Sequence, residues 1–159
     1  MRTTRIAKIV GVAALAAAAV LPPGTAHASS SPPGSGGADY GESLGKGDTL
    51  YADSYIGRTV TVNSGNYVFL EMQSDGNLVE YLSSDAMGGG PWRVCWASGT
   101  AGSGADHAIY QQDGNFVVYT PDNTPVWASN TQWKAGSTVD INGWGVVYVG
   151  TTPINNQCS

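Results

Sequence analysis

Five residue types in this 159-residue chain are spaced so that they could act together on a ligand. Gln73, Asp75, Asn77, Val79 and Tyr81 stand at every second position of one short stretch. Gln111, Asp113, Asn115, Val117 and Tyr119 repeat them in the same order and at the same spacing. The intervening residues differ, apart from Gly76 and Gly114. Alternate positions held twice, with the rest free, mark one chemically committed face. Gln and Asn bring amide donors and a carbonyl acceptor, ionised Asp only accepts, and the Tyr hydroxyl does both. Val adds a small apolar contact. No nucleophile is paired with a base, as covalent catalysis requires. Glycoside hydrolysis requires two carboxyl groups about 5–10 Å apart across the bond. Each stretch supplies one Asp, while Glu71 and Glu80 fall off the Gln/Asn/Tyr register or on a different arm. The set reads as one that holds a polyhydroxylated ligand by hydrogen bonds, not as an enzyme. The spacing of His, Cys, Asp and Glu offers no Zn²⁺ ligand set and no Ca²⁺ loop, so no metal and no cofactor are expected.

Two geometries would gather these side chains. A single strand places all five on one face, since side chains alternate with period 2. Asp-Gly between apolar runs is equally a hairpin signal. The hairpin is preferred, with Tyr67 to Gln73 as one arm and Asn77 to Tyr81 as the other. Val68, Leu70 and Met72 alternate with Tyr67, Phe69 and Glu71, so one row of that first arm faces a core.

The motif Gln-x-Asp-x-Asn-x-Val-x-Tyr, present in two full copies, resembles the mannose-binding signature of the bulb-type (monocot, snowdrop-like) lectins. The resemblance covers roughly residues 47 to 150. It implies a β-prism II fold, all-β, with three four-stranded antiparallel sheets around a pseudo-threefold axis and one motif per sheet. It also implies roles. Asp75 with Asn77, and Asp113 with Asn115, would bind the axial 2-hydroxyl of mannose. Gln73 and Gln111 would bind the 3-hydroxyl, and Tyr81 and Tyr119 the 4-hydroxyl. Val79 and Val117 would pack on the ring carbons. A sugar with an equatorial 2-hydroxyl would leave Asp and Asn unpaired, which discriminates against glucose. The expected partners are mannose-containing glycans. By the same analogy a homodimer is possible, and two sites per chain would add avidity. The alternative function is a lectin-like antibacterial protein that binds rhamnose- or mannose-containing surface polymers.

Other landmarks order the repeats. Trp96-Ala97-Ser98-Gly99-Thr100 is echoed by Trp127-Ala128-Ser129-Asn130-Thr131. Fourteen residues separate Tyr81 from Trp96 but seven separate Tyr119 from Trp127, so the first repeat carries an insertion within 82–95. The tryptophans are read as core, where large aromatics bury most area, rather than as sugar platforms. His107 stands alone and reads as a turn or cap residue. A third repeat is degenerate. Counting back from Tyr148 puts Val146 in the Val place, Trp144 in the Asn place, Asn142 in the Asp place and Asp140 in the Gln place, with Gly143 marking the turn. This third set is expected to be silent for mannose, because each unmade bond to a buried hydroxyl costs on the order of 1–3 kcal/mol.

The ends of the chain speak to its compartment. Residues 1–28 have the form of a signal peptide. Arg2, Arg5 and Lys8 are followed by an apolar run of 13 residues, Ile9 to Leu21, and Ala26-His27-Ala28 offers a cleavage site. The run is too short to span a bilayer. General export is expected, with cleavage near Ala28 and a secreted product, and the Ala-rich leader suits a bacterial precursor. Residues 29–45 read as a Ser/Pro/Gly-rich tether, and residues 46–159 as the lectin domain. Loss of the three leader cations takes the net charge from −5 to −8, which excludes a basic patch for nucleic acid or anionic membrane. In an exported chain the two cysteines, Cys95 and Cys158, favour a disulfide over free thiols. Closing that loop would stabilise by about 4 kcal/mol in the chain-entropy account.

Overall fold

The computed structural model describes residues 38–61, 65–84 and 90–158. The expected signal peptide, most of the tether and the middle of the first insertion (85–89) lie outside the described residues. The described chain is all strand and turn: β1 Ser43–Gly45, β2 Thr49–Tyr51, β3 Ser54–Thr59, β4 Tyr67–Met72, β5 Leu78–Ser83, β6 Trp92–Ala97, β7 His107–Tyr110, β8 Phe116–Tyr119, β9 Pro125–Ala128, β10 Thr138–Ile141, β11 Val147–Val149 and β12 Thr152–Pro153.

They form three four-stranded sheets, ordered β3-β4-β5-β6, β2-β7-β8-β9 and β1-β10-β11-β12. The paired strands run antiparallel, as in the expected β-prism II. Pro125 and Pro153 sit on edge strands, where a missing N–H breaks no central ladder. The first sheet is continuous in sequence. The other two each borrow an N-terminal strand, so the chain's beginning closes its last repeat. Ser43–Gly45 therefore belongs to the fold and not to the tether: its register against Thr138–Asp140 completes the third sheet.

One face of every sheet supplies the core. Leu44, Leu50, Ile56, Val68, Leu70, Met72, Leu78, Phe116, Val118, Val139, Ile141, Val147 and Val149 are buried together. The period-2 row Val68, Leu70, Met72 faces this core as the alternation predicts. Trp96 and Trp127 also pack against it and meet edge to face at 5.4 Å. In the third sheet Thr152 is the residue paired to Val149, so two indoles and a threonine occupy the corresponding places.

Cys95 and Cys158 are joined, with Cα atoms 5.4 Å apart and a sequence separation of 63. The reason Cys95 can reach inward is a register shift. Glu80 pairs with Trp96 but Tyr81 pairs with Val94, which leaves Cys95 as the extra residue of a bulge. A bulge breaks strict alternation, so neighbours Cys95 and Trp96 both lie against the core. Val126 is the extra residue in the second sheet, at the equivalent shift between Val118 and Tyr119.

Glu80 is an anomaly in this core. Its register position matches Val118 and Val149, yet it is a carboxylic acid with 0 % exposure. Asn155 Nδ2 donates to Glu80 Oε2 at 2.5 Å. Burial pushes the Glu80 carboxyl up to about 8, opposed in part by that hydrogen bond.

Candidate functional site

Both motif copies are hairpins, which decides between the two geometries. Met72 pairs with Leu78 and Tyr110 with Phe116, and the five residues between each pair form the turn. Gln73 N–H donates to Asn77 O at 2.8 Å, and Gly76 N–H to Gln73 O at 3.0 Å. Gln111, Asn115 and Gly114 repeat both bonds at 2.8 and 3.0 Å. The turn needs a left-handed residue, and Gly76 (φ 91°) and Gly114 (φ 89°) provide it. Asp75 Oδ1 then accepts from Asn77 N–H, and Asp113 Oδ1 from Asn115 N–H, each at 2.9 Å. The aspartate so orients its own turn while its second oxygen stays available.

Across the hairpin, Gln73 Nε2 donates to the Tyr81 hydroxyl and Gln111 Nε2 to the Tyr119 hydroxyl, both at 2.7 Å. Accepting that bond leaves the phenolic proton free for a ligand oxygen. The bulge falls at the residue pair that ends in this tyrosine in both sheets.

The asparagine is held from behind by residues that sequence reasoning treats only as landmarks. Asn77 Oδ1 accepts from Ser98 Oγ, Gly99 N–H and Thr100 N–H, each at 3.1 Å. Asn115 Oδ1 accepts from Ser129 Oγ at 3.1 Å and Thr131 N–H at 3.2 Å. Thr100 Oγ1 and Thr131 Oγ1 donate to Gly76 O and Gly114 O at 2.6 and 2.7 Å. With the carbonyl engaged, each amide turns its Nδ2 donors away from this network. The signal was present in the echo itself: Ser and Thr recur with the tryptophan in both copies.

The two copies differ in what surrounds them. In the second, Gln111, Asp113, Asn115 and Tyr119 are all partly open to solvent. In the first, Gln73 and Asn77 are 1 % exposed and Tyr81 3 %, while Asp75 stays exposed. A second hydrophobic cluster covers the tyrosine: Phe69, Val79 and Tyr81 pack together, with Tyr55, Tyr67, Trp92 and Ala97 around them. Phe69 stacks on Tyr81 at 5.2 Å and meets Trp92 edge to face at 6.2 Å. Trp92 comes from the long insertion. Beneath this cover Gln73 Oε1 is buried with no hydrogen-bond partner among the described residues.

Glu71 also belongs to this face. It pairs with Val79, and paired residues of a hairpin share a face, so its position on the other arm brings it into the first site. Ile109 holds that place in the second copy, opposite Val117. Burial, then the charges of Asp53 and Asp75, push the Glu71 carboxyl up to about 7. Burial, then Glu71, likewise lifts the Tyr81 hydroxyl to about 12. Glu80, by contrast, points to the core. His107 is neither turn nor cap: it lies in β7, pairs with Tyr119, and stacks on that ring at 5.7 Å.

The third repeat sits two residues away from the expected register. Asn142 N–H donates to Val146 O, and Gly145 N–H to Asn142 O. Those are the bonds of Gln73–Asn77 and Gly76–Gln73. Asn142 thus takes the Gln place, Trp144 the Asp place, Val146 the Asn place and Tyr148 the Val place; Gly150 falls where the tyrosine would be, and Asp140 lies one pair further back. Gly145 (φ 69°), not Gly143, is the turn glycine. Tyr148 misleads the count because it supplies the expected residue type at the wrong place.

Three antiparallel sheets, each with a hairpin turned outward and two of them carrying amide, carboxylate and phenol groups in one array, define a carbohydrate-binding protein. The chain belongs to the family of bulb-type mannose-specific lectins, which are carbohydrate-binding proteins and not enzymes. It is 39 % identical over 83 residues to the mannose-specific lectin of Aloe arborescens, covering 52 % of this chain and 68 % of that lectin. It is 41 % identical over 75 residues to the mannose-specific lectin of Narcissus pseudonarcissus, covering 46 % of this chain and 61 % of that one. Among solved structures it is similar to the mannose-specific agglutinin of snowdrop (Galanthus nivalis) bulbs complexed with methyl-α-D-mannoside. There the TM-score is 0.54 at 30 % identity, over 70 % of this chain and 90 % of the agglutinin. No protein-family model matches the chain.

Proposed function

We propose that this chain is a metal-independent lectin that holds mannose at the second motif copy, through Gln111, Asp113, Asn115, Val117 and Tyr119. The observation that carries this reading is the open, pre-oriented polar array of that copy. Its turn hydrogen bonds, its Gln111–Tyr119 bond and its clamped Asn115 carbonyl are made within the protein before any sugar arrives. Preorganisation of this kind lowers the cost of binding. The lectins of Aloe and Narcissus are mannose-specific, and the snowdrop agglutinin is complexed with a mannoside. The first copy keeps the same five residues, Gln73, Asp75, Asn77, Val79 and Tyr81, but Phe69 and Trp92 pack on Tyr81 and Gln73 and Asn77 are buried, so it contributes a site only where that packing opens. Export of the protein, with removal of residues 1–28, is part of the proposal. It is supported by the leader's cationic start, apolar run and A-x-A end.

The test is calorimetric titration with methyl α-mannoside in EDTA, with methyl α-glucoside as control. The expected result is weak binding of the mannoside alone, near one site per chain. Equal heats for both sugars, or loss of binding in EDTA, would refute the reading.

A further inference from the structure

Trp133 is the most exposed large apolar side chain among the described residues, at 85 %. Exposure alone signifies little, since single surface hydrophobics are common. Its backbone is what sets it apart. Trp133 has φ 65°, in the left-handed region that a bulky side chain adopts only at an energetic cost. The turn does not require an indole there. In the first repeat the corresponding residue is Gly102, with φ 76°. The correspondence is set by hydrogen bonds. Gly102 N–H donates to Asp75 O and Trp133 N–H to Asp113 O, both at 2.7 Å. The following residues, Ser103 and Lys134, donate to Thr100 O and Thr131 O at 3.0 and 3.1 Å. A glycine makes the same turn without strain, and the core gains nothing from an indole that solvent surrounds.

What the position does offer is proximity to the ligand array. Trp133 is one backbone hydrogen bond from Asp113, a residue of the open copy. Lys46 faces the same turn, its Nζ 3.7 Å from where a Cβ on Gly114 would lie. An indole face carries negative quadrupole charge and matches the polarised C–H face of a pyranose, and the ammonium adds a donor for a hydroxyl. We propose that Trp133 forms a second sugar subsite beside the second motif copy, so that this face takes a mannose-rich oligosaccharide in preference to a single mannose. This rests on the mannose reading of the motif given above. The covered first copy, with Gly102 at this place, has no such platform.

The decisive variant is Trp133→Gly, which installs the residue that the first repeat already uses in this turn and so preserves the fold. Wild type and variant are titrated with methyl α-mannoside and with an α-linked mannotriose, and sedimentation velocity is run on both. The trisaccharide is expected to bind wild type about tenfold more tightly than the monosaccharide, the scale of one good aromatic contact. Trp133→Gly should abolish that preference and leave the monosaccharide affinity unchanged within about twofold. Indole fluorescence should shift with trisaccharide in wild type only. If both proteins bind the trisaccharide equally, the subsite is refuted and the motif reading stands. If only the trisaccharide binds, and only to wild type, the subsite stands and the motif reading is refuted. If the variant loses a self-associated state with its sugar binding intact, Trp133 serves protein contact and the proposal is overturned. If neither sugar binds wild type, both readings are overturned.

Discussion

Asn115 separates the two jobs that one side chain performs in this lectin. Its carbonyl oxygen accepts from Ser129 and Thr131, which fixes the turn, and in the proposed site its amide donors are left for the sugar. Asn115→Asp keeps an acceptor for the clamp and deletes the donors. The variant should fold with a melting temperature close to wild type. Its mannoside affinity should fall at least about tenfold, the scale of one lost hydrogen bond plus the repulsion from Asp113. Calorimetry checks it, and undiminished binding would remove Asn115 from the site. The hydrogen-bonding capacity of Gln, Asp, Asn and Tyr was legible from residue type and spacing. The clamp was legible only as an echo, because nothing in Trp-Ala-Ser-x-Thr says which carbonyl its hydroxyls will meet.

At the scale of elements, the two hairpins show how the same motif can be open or covered. The β4–β5 hairpin holds Gln73, Asn77 and Tyr81 in the hydrogen bonds of their counterparts, and Phe69, Tyr67 and the Trp92 of β6 pack around Tyr81. His107 holds the Phe69 place in the second sheet, since it pairs with Tyr119 as Phe69 pairs with Tyr81. The double variant Phe69→His with Trp92→Ala should therefore uncover the first copy. The expected outcome is a rise in stoichiometry from near one mannoside per chain toward two. A stoichiometry still near one, in a variant that remains folded by circular dichroism, would show that the cover is not what closes the first copy. Sequence alternation takes Phe69 and Glu71 off the core row, yet it was the pairing of Glu71 with Val79 and the packing of Trp92 on Phe69 that put them at the first copy.

For the whole molecule, the core contains one group that opposes its own burial. Glu80 occupies a position filled by valine in the other two sheets, and burial raises its carboxyl to about 8 from an ordinary 4.5. The folded state therefore holds a proton that the unfolded chain releases above its ordinary range. Stability from this group is fully present below pH 4.5 and declines as pH rises toward about 8, where the folded carboxyl ionises. The full loss is on the order of 5 kcal/mol. Glu71, raised to about 7 by burial and neighbouring charges, adds a smaller loss in the same direction that is complete at lower pH. Glu80→Gln retains a carbonyl acceptor for Asn155 and has no proton to lose. Urea midpoints at pH 5 and pH 9 should differ strongly in wild type and much less in the variant. Equal pH dependence in both would sink this account of the core.

The chain's own order of residues determined the class of fold, the hairpin, and the chemistry of the repeated face. The hairpin and the chemistry of that face follow from local rules, namely alternation, the left-handed demand of a tight turn and the hydrogen-bonding capacity of each side chain, whereas the class of fold is what the motif's resemblance implies. Tertiary structure alone decided three other matters. It joined Ser43–Gly45 to the last repeat, because edge pairing is a choice among distant strands. It moved the third repeat's register by two, because Gly143 and Gly145 both suit a turn and only the backbone hydrogen bonds distinguish them. It covered the first copy and left the second open beside Trp133, because exposure depends on which distant side chains pack over a face, and no local spacing encodes that.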